Sequence, residues 1–435
     1  MTVLNPPRPV LEIAKQLEDA GFEAWCVGGA IRDALLGHPD LDWDLATSAT
    51  PAQVRELFGA RRTIPVGIEF GTVGVLDRAG TMHEVTTFRR DVRTDGRHAE
   101  VEFGVSLEDD LARRDFTINA IAYSPKRDEV RDPFDGQGDL ARRLVRAVGD
   151  PYARMREDRL RALRAIRFAA RFGFRIDDET RNAIEASAPY LSRLSPERVK
   201  QELDKTLEQV RCPSNALKIW QSTGAFATLL PALADASAEA LSVADYLAMP
   251  GPATRPARRA TRFAGVLLGL SAKQAESVLV SLKASRHETQ AVAMLIERWH
   301  SHGQSVADAF VGDRPIADAE VRRWVSNVGR LQIGAFMRLA NAIWHAARNT
   351  GAAAPAERAT RSLYRRMLRV AFRDPIDLAS LAIDGDDLRR AGVPAGPGLG
   401  KILQALLAAV LEEPDRNTAD WLLREAQRLH AHQAP

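Results

Sequence analysis

The chain has 435 residues, 45% of them hydrophobic and 27% charged, which is the composition of an ordinary globular protein long enough for two or more domains. Basic residues only slightly outnumber acidic ones, 60 against 57, so any surface for a polyanion must come from local clustering. No apolar run approaches the ~18 residues of a membrane span and the start of the chain lacks a signal-peptide pattern, so we expect a cytoplasmic protein with no membrane partner.

The first third of the chain has an α/β pattern. Apolar residues with helical spacing predict a helix over 10–20, and the run at 24–27 predicts a strand. Further predicted elements are a helix over 30–36, a strand over 41–46, a helix that begins at Thr50-Pro51, and a hairpin of 70–76 with 82–88. The polar, glycine-containing stretch 89–100 predicts a mobile loop.

Beyond residue 150 the pattern becomes helical. Asp150 and Ser195 each precede a proline, which predicts a helix with a side-chain N-cap at both places. Residues 249–261 are rich in proline and arginine and predict a linker. The remainder, rich in alanine, leucine and arginine, predicts a helical tail.

Two glycines stand before a short predicted helix, in the sequence Gly28-Gly29-Ala30-Ile31-Arg32-Asp33. A residue without a side chain lets the backbone approach a phosphate closely, and a helix N-terminus favours negative charge. Arg32 on the first turn can add a charged contact to a triphosphate. The alternative is a simple turn.

Two aspartates lie two positions apart in the predicted strand 41–46. Side chains alternate along a strand, so Asp42 and Asp44 should point to one face, with Leu41, Trp43 and Leu45 on the other. Such a pair of oxygen ligands suits Mg²⁺. Glu84 is the natural third carboxylate for two-metal nucleotidyl transfer. The alternatives are solvated surface aspartates and an exposed strand glutamate.

Two further polar patterns lie in the middle of the chain. In 113–120, arginines stand beside an aspartate and an asparagine, which can together grip ribose and phosphate; the alternative is a salt-bridged helix start. Over 157–167 a predicted helix carries acids and arginines at helical spacing, so that Asp158 and Arg161 can present a base-like edge to a nucleotide. The alternative is a surface helix with ion pairs. The residues assigned to nucleotide binding are Gly28, Gly29, Arg32, Arg114, Asp115, Asn119, Glu157, Asp158, Arg161, Arg164 and Arg167.

Arginines crowd this region. Residues 140–175 contain eleven arginines and three acids, in a chain that is otherwise nearly balanced. This local excess indicates a polyanionic partner.

Taken in order, these motifs resemble the class II tRNA nucleotidyltransferase and bacterial poly(A) polymerase family. The matching pieces are Gly28-Gly29-x-x-Arg32-Asp33 with Asp42-x-Asp44, then 113–120, then Glu157-Asp158-x-x-Arg161-x-x-Arg164, and finally the neck motif at 195–205. The resemblance implies an α/β polymerase-β-like nucleotidyltransferase head followed by an all-α neck, body and tail. The implied ranges are head 1–145, neck 146–205, body 206–248, linker 249–261 and tail 262–435.

The resemblance also implies an activity, which is template-independent addition of C, C and A to the tRNA 3′ end. Implied partners are CTP, ATP and Mg²⁺, and tRNA bound through its 3′ end and elbow; the oligomeric state stays open. The stretch 63–71 lacks the basic run typical of poly(A) polymerases, and 89–100 is a full polar loop, so CCA addition is favoured. The alternatives are a CC-adding or A-adding enzyme, a poly(A) polymerase, or a non-catalytic RNA-binding protein on the same scaffold.

Overall fold

The computed structural model describes residues 4–38, 42–94, 99–310 and 315–433. The chain divides into two compact units. The first unit comprises Met1–Val210 with Asn215–Asp235, and the second comprises Arg211–Ser214 with Ala236–Pro435.

A mixed sheet forms the centre of the first unit. Its strands are β1 Ala24–Val27, β2 Asp44–Thr47, β3 Thr63–Ile64, β4 Thr72–Leu76, β5 Met82–Thr87, β8 Ala122–Ser124 and β9 Glu129–Arg131. They lie in the order β3-β4-β5-β2-β1-β8-β9, and among these pairings only β2 with β5 is parallel in the described chain. Separately from this sheet, β6 Arg89–Thr94 pairs with β7 Ala99–Phe103, and β10 Leu144–Val145 pairs with β11 Arg175–Ile176.

In the described residues, five helices accompany this sheet. The predicted strand 24–27, the helix after Gly28 and the hairpin of β4 with β5 are all confirmed. Buried apolar side chains such as Trp25, Leu111 and Ala122 pack into one cluster against the sheet. The helices are α1 Arg8–Asp19, α2 Gly29–Leu35, α3 Pro51–Phe58, α4 Leu107–Ala112 and α5 Gly136–Ala141.

Two sequence predictions in this part are wrong. Strand β2 begins at Asp44, so Asp42 precedes the strand instead of lying on it, and Leu41 falls outside the described residues. The stretch 89–100, predicted as a loop, forms most of an antiparallel ribbon, because β6 and β7 pair from Arg89 opposite Phe103 to Thr94 opposite Ala99. Residues 95–98 between the strands are outside the described residues.

The rest of the first unit is mainly helical. Asp150 and Ser195 accept hydrogen bonds from backbone N–H groups, which confirms both predicted N-caps. The continuous helix expected over 157–167 is wrong, because the backbone is extended at Asp158 (φ −145°, ψ 105°) and separates two helices. The helices are α6 Pro151–Glu157, α7 Leu160–Phe172, α8 Asp178–Ser187, α9 Pro196–Gln209, α10 Ser214–Ser222 and α11 Ala225–Leu229.

The second unit is built from helices in its described part. The expected linker 249–261 is wrong in its second half, because a helix begins at Arg255 and buries Phe263 and Val266. The helices are α12 Ala238–Ser242, α13 Arg255–Val266, α14 Ala272–Ser281, α15 Arg286–Asp308, α16 Asp318–Val328, α17 Ile333–Asn349, α18 Glu357–Arg373, α19 Gly385–Arg390, α20 Pro397–Glu412 and α21 Ala419–Gln433. None of the helices in the described ranges is long and apolar enough to cross a membrane.

Candidate active site

A cavity of 660 Å³ opens in the first unit between the sheet and the helices that follow it. Twelve of the fourteen predicted site residues line it; Asp42 and Glu157 do not. The lining residues are Val27, Gly28, Gly29, Arg32, Asp44, Thr72, Glu84, Thr86, Arg89, Arg113, Arg114, Asp115, Asn119, Asp158, Leu160, Arg161, Arg164, Arg167, Phe168, Arg171, Arg198, Lys205 and Gln209.

Two carboxylates on neighbouring strands lie at the sheet side of this cavity. The parallel register pairs Leu45 with Val85, so Asp44 and Glu84 each stand one residue earlier and share a face. Leu45 and Val85 are fully buried on the opposite face. Strand pairing therefore brings together two acids that are forty positions apart in the chain.

Charge repulsion marks this pair as a place for a cation. Burial raises the pKa of Asp44 to about 7, with further contributions from the nearby Glu84 and Asp42 carboxylates and a smaller opposing effect of Arg114. Among the residues that the structure describes, Asp44, Glu84 and Asp42 make no side-chain hydrogen bond or ion pair. A divalent ion would relieve this repulsion, and carboxylate oxygens are suitable ligands.

Few side chains are available here to bind a metal ion. No group of three or more His, Cys, Asp or Glu side chains in the described ranges forms a complete metal-binding cluster. Two protein carboxylates nevertheless fit an ion that keeps several waters and takes substrate phosphates as ligands. The residues present thus fit a divalent metal that is completed by the substrate.

The glycine pair lies at the turn from β1 into α2. Gly28 has φ +75°, a conformation that side-chain-bearing residues rarely adopt, and a Cβ there would stand 2.8 Å from Nη1 of Arg114. Its N–H donates to the Ile121 carbonyl at 3.4 Å. The glycine therefore leaves room for a guanidinium beside the cavity.

Asp115 is the centre of a buried charge cluster. Its carboxylate accepts from Arg164 Nε at 2.7 Å and from Asn119 Nδ2 at 2.9 Å. Burial by itself would raise the pKa of Asp115, but Arg164 and the Asn119 hydrogen bond lower it to about 2. Asp115 therefore stays ionised and positions Arg164 and Asn119. It also lines the cavity, and its predicted contact with a nucleotide stays a prediction.

Arg32 continues this cluster from α2. Its Nη1 donates to Asn119 Oδ1 at 2.5 Å and its Nε donates to Asp33 Oδ1 at 2.7 Å. Asp33 also accepts from Arg171 on α7 at 3.3 Å. The Arg32 guanidinium lies 5.0 Å from the ring centre of Phe168, which is also on α7. The sequence predicts that Arg32 contacts a triphosphate. In the structure its guanidinium also binds Asn119 and Asp33.

Asp110 binds two further arginines of the cavity. This buried carboxylate accepts from Arg113 Nη2 at 2.7 Å and from Arg114 Nη2 at 3.1 Å. Its pKa is lowered, because both guanidinium groups outweigh the effect of burial. Nε of Arg114 is buried and has no hydrogen-bond partner in the described chain. Asp110 thus fixes Arg114 beside Asp44, with donor capacity left over.

Asp158, between α6 and α7, is held by one contact from α9 and one from the first residue of α7. Its Oδ2 accepts from Arg198 on α9 at 2.7 Å, and its Oδ1 accepts from the Leu160 N–H at 3.0 Å. Arg161 donates to the Glu157 carboxylate at 2.8 Å and to the Arg113 carbonyl at 2.9 Å. Glu157 therefore orients Arg161 from behind, which explains why it does not line the cavity.

Arg167 forms the most enclosed ion pair of the site. Its Nε donates to Glu202 at 2.6 Å, and both side chains are less than 5% exposed. Nη1 donates to Gln209 at 3.3 Å. This pair joins α7 to α9 at the wall of the cavity.

Several lining residues were not among the predicted site residues. Arg171, Arg198 and Lys205 come from two helices that the sequence already showed to be rich in arginine or to carry the neck motif, so that signal was present. Thr72, Thr86 and Arg89 come from strands, and no spacing in the sequence indicates that they face this cavity.

Comparisons with known proteins find related sequences over most of the chain. The family models "Poly A polymerase head domain", "Probable RNA and SrmB-binding site of polymerase A" and tRNA nucleotidyltransferase domain 2 match 24–146, 173–237 and 261–426. A CCA-adding enzyme from Limosilactobacillus fermentum is 36% identical over 98% of this chain and 97% of its own length. The chain belongs to the CCA-adding enzyme family.

Solved structures of CCA-adding enzymes share its fold. The Bacillus stearothermophilus CCA-adding enzyme in complex with CTP has a TM-score of 0.77 and 32% identity, and the match covers 99% of this chain and 100% of that one. A Thermotoga maritima CCA-adding enzyme complexed with tRNA has a TM-score of 0.64 at 20% identity, covering 96% and 94%, and supports the fold. The resemblance and fold class inferred from the motifs are confirmed, and the chain is a nucleotidyltransferase.

Proposed function

We propose that this chain adds CCA to the 3′ end of tRNA from CTP and ATP without a nucleic-acid template. The observation that carries the proposal is one cavity that combines the Asp44 and Glu84 carboxylates with a wall of arginines. Acids at one side suit a metal ion, and guanidinium groups at the other suit the phosphates and base of a nucleotide. Full-length relatives that carry the name CCA-adding enzyme support the same activity.

We infer that the divalent metal is Mg²⁺, held by Asp42 and Asp44 with Glu84 in support. When bound, the metal would lower the pKa of the attacking 3′-hydroxyl and stabilise the negative charge of the departing pyrophosphate. The raised pKa of Asp44, which comes first from burial and then from the nearby Glu84 and Asp42 carboxylates, supports this assignment. Asp42 lies before the strand, so its contribution depends on the loop that precedes β2.

The arginines of the cavity bind and orient the nucleotide in this proposal. Arg114, fixed by Asp110 and beside the Asp44 carboxylate, lines the cavity, where its guanidinium charge can bind a phosphate oxygen. Arg32 is tied to Asn119 and Asp33, so its charge adds to the positive potential while its position stays fixed. Preorganised donors of this kind need no rearrangement as negative charge develops.

Asp158 and Arg161 select the base in this proposal. Both line the cavity, and each is oriented by another residue, Asp158 by Arg198 and Arg161 by Glu157. A carboxylate can accept from the exocyclic amine of cytosine or adenine, and a guanidinium can donate to a ring acceptor. Uracil lacks the amine, so a site of this kind discriminates against UTP.

The experiment is incorporation of labelled nucleotides into a tRNA that ends at the discriminator base. CTP alone should extend it by two residues, ATP alone by none, and the two together by three. Extension by CTP alone with no addition of A would identify a CC-adding enzyme, and addition only to a tRNA ending in CC would identify an A-adding one. A long A tract would identify a poly(A) polymerase, and no extension at all a non-catalytic RNA-binding protein.

The proposed domain roles follow the sequence, with a catalytic head over 1–145, a base-selecting neck over 146–205, a body over 206–248 and a tRNA-binding tail over 262–435. The cytoplasmic location also stays a prediction.

A further inference from the structure

One face of α18 in the second unit carries a row of arginines. Arg358, Arg361, Arg365, Arg369 and Arg373 follow one another at intervals of three or four residues, so they lie along one side of the helix. All five are exposed. At a rise of about 1.5 Å per residue, the row is about 22 Å long. We call it the arginine row.

Most of this charge is not neutralised. In the described part of the chain, Arg358, Arg365 and Arg373 form no hydrogen bond or ion pair. Arg361 pairs with Glu357 at 2.8 Å, one turn earlier on the same helix. By contrast, Arg366, on the flank of the helix, is paired with Asp318 of α16 at 2.5 Å. The flanking Arg366 is thus neutralised, whereas three arginines of the row have no ion-pair partner in the described chain. The row is therefore a positively charged surface that can bind an anion.

An aromatic ring lies within the row. Phe372 is 65% exposed, although the other face of α18 buries Leu363, Met367 and Val370. Its position, seven residues after Arg365, places it on the same side of the helix as the arginines. An exposed ring among guanidinium groups is the combination that proteins use to stack unpaired bases while they track the phosphates.

A cavity of 280 Å³ borders the row on one side. It lies between α17 and α18 and is lined in part by Arg338, Asn341, Arg361 and Tyr364. Its lining combines guanidinium groups, an amide, a phenol ring and a threonine hydroxyl, together with the Glu357 carboxylate that pairs with Arg361. This chemistry matches the edge of an unstacked base next to a phosphate.

We propose that the arginine row, with Phe372 and the bordering cavity, is an RNA-binding surface that holds phosphates and one unpaired base. The proposal rests on the proposed function for the identity of the RNA, which is tRNA, but the surface itself lies in the second unit. A membrane fits less well, because the apolar face of α18 is buried within the unit and leaves no apolar stripe to insert.

The test is the binding of a tRNA transcript lacking CCA to the full chain at several salt concentrations. The triple variant Arg358→Gln/Arg365→Gln/Arg373→Gln should lower the slope of log affinity against log salt by about two and raise Kd about tenfold or more at physiological salt. None of the three arginines has a partner to lose among the described residues, so the fold should persist, and circular dichroism checks this. Because these residues are outside the catalytic cavity, KM for tRNA should rise while kcat at saturating tRNA stays unchanged.

The matched control is Arg389→Gln/Arg390→Gln/Arg428→Gln, which removes the same charge from exposed, ion-paired positions of the same unit. It should leave the slope within about half a unit of the parent. Equal loss in both triple variants would overturn the proposal, because net charge alone would then explain it. An unchanged slope in the first variant would also overturn it.

Phe372 is tested separately. Phe372→Leu should weaken binding to tRNA several-fold and Phe372→Trp should restore it, because stacking needs a ring. Equal affinity for all three proteins would overturn the base-stacking part. If the arginine variant loses binding to phosphatidylglycerol vesicles and keeps its affinity for tRNA, the surface is a membrane contact and the RNA proposal fails. If no nucleotide is ever added but the tRNA binding changes as stated, the proposed function alone fails.

Discussion

Replacing Asp115 with asparagine removes the negative charge at the centre of the cavity wall and keeps the shape of the side chain. Asparagine can still accept the hydrogen bond from the Asn119 amide. It cannot neutralise the Arg164 guanidinium, which in the parent protein donates to Asp115 at 2.7 Å. We expect the first unit to lose stability and the cavity arginines to lose their alignment. The side chain of Asp115 is only 10% exposed, so solvent screens this loss weakly.

The size of the effect follows from the pKa. The pKa of Asp115 falls from 3.8 to about 2. At about 1.4 kcal/mol per pKa unit, the ionised carboxylate contributes about 2 kcal/mol to folding. Because the pKa is lowered in the folded state, the contribution is complete above the unfolded-state pKa and is lost as the pH falls through about 2.

The assay is urea unfolding of the parent and Asp115→Asn proteins at pH 7 and at pH 3, with Asp178→Asn as an exposed control on α8. We expect a difference in unfolding free energy of about 2 kcal/mol at pH 7 that falls to about 1 kcal/mol at pH 3, and almost no change in the control. A difference that is the same at both pH values would refute the reasoning, because the charge would then not be its source.

Three further changes test the cavity. Asp44→Ala should lower the rate of nucleotide addition on the order of 10³-fold or more while tRNA binding survives, and Glu84→Gln should lower it less; turnover close to normal in the first variant contradicts the metal assignment. Asp158→Ala should relax discrimination against UTP roughly 5- to 150-fold, measured with all four nucleotides, and an equal loss for every nucleotide would give this residue a structural role instead. Gly28→Ala forces a side chain into a positive φ and towards Arg114, so it should cost about 1–2 kcal/mol in denaturant unfolding and raise KM for CTP; a variant as stable as the parent would argue against this strain.

Local signals were sufficient for much of the fold. A proline after a capping residue predicted the helix starts at Asp150 and Ser195, because a cap depends only on neighbouring residues. The run 24–27 and the hairpin of β4 with β5 were equally local. Motif order also brought most of the site residues together, since the family motifs describe one cavity.

The helix break at Asp158 was not predictable from the neighbouring residues. Arginine, leucine, alanine and glutamate all favour a continuous helix there. The break is accompanied by tertiary contacts, as Arg198 donates to the Asp158 carboxylate and Arg161 donates to the Arg113 carbonyl. Neither partner is recognisable as such in the sequence.

The network around Arg32 shows a similar limit. Asp33 meets Arg171 across 138 positions, and Arg32 meets Asn119 across 87. The motifs named Arg32 and Asn119 as nucleotide contacts, but only the three-dimensional arrangement shows that they also bind each other. Likewise, the polar stretch 89–100 has too few apolar residues to indicate strands, and it is the pairing of β6 with β7 that defines the ribbon.

The parallel pairing of β2 with β5 has a consequence for insertions and deletions. Asp44 and Glu84 meet through the register that places Leu45 beside Val85, and β4 between them in the chain also pairs with β5, with Gly74 opposite Glu84. The loop 59–62 between α3 and β3 can therefore change length without displacing the acids, whereas β4 has to keep its register. A single residue inserted between Met82 and Glu84, in contrast, would turn Glu84 towards the opposite face if Met82 stayed opposite Leu76. Length variation should be frequent in the first segment and rare in the second.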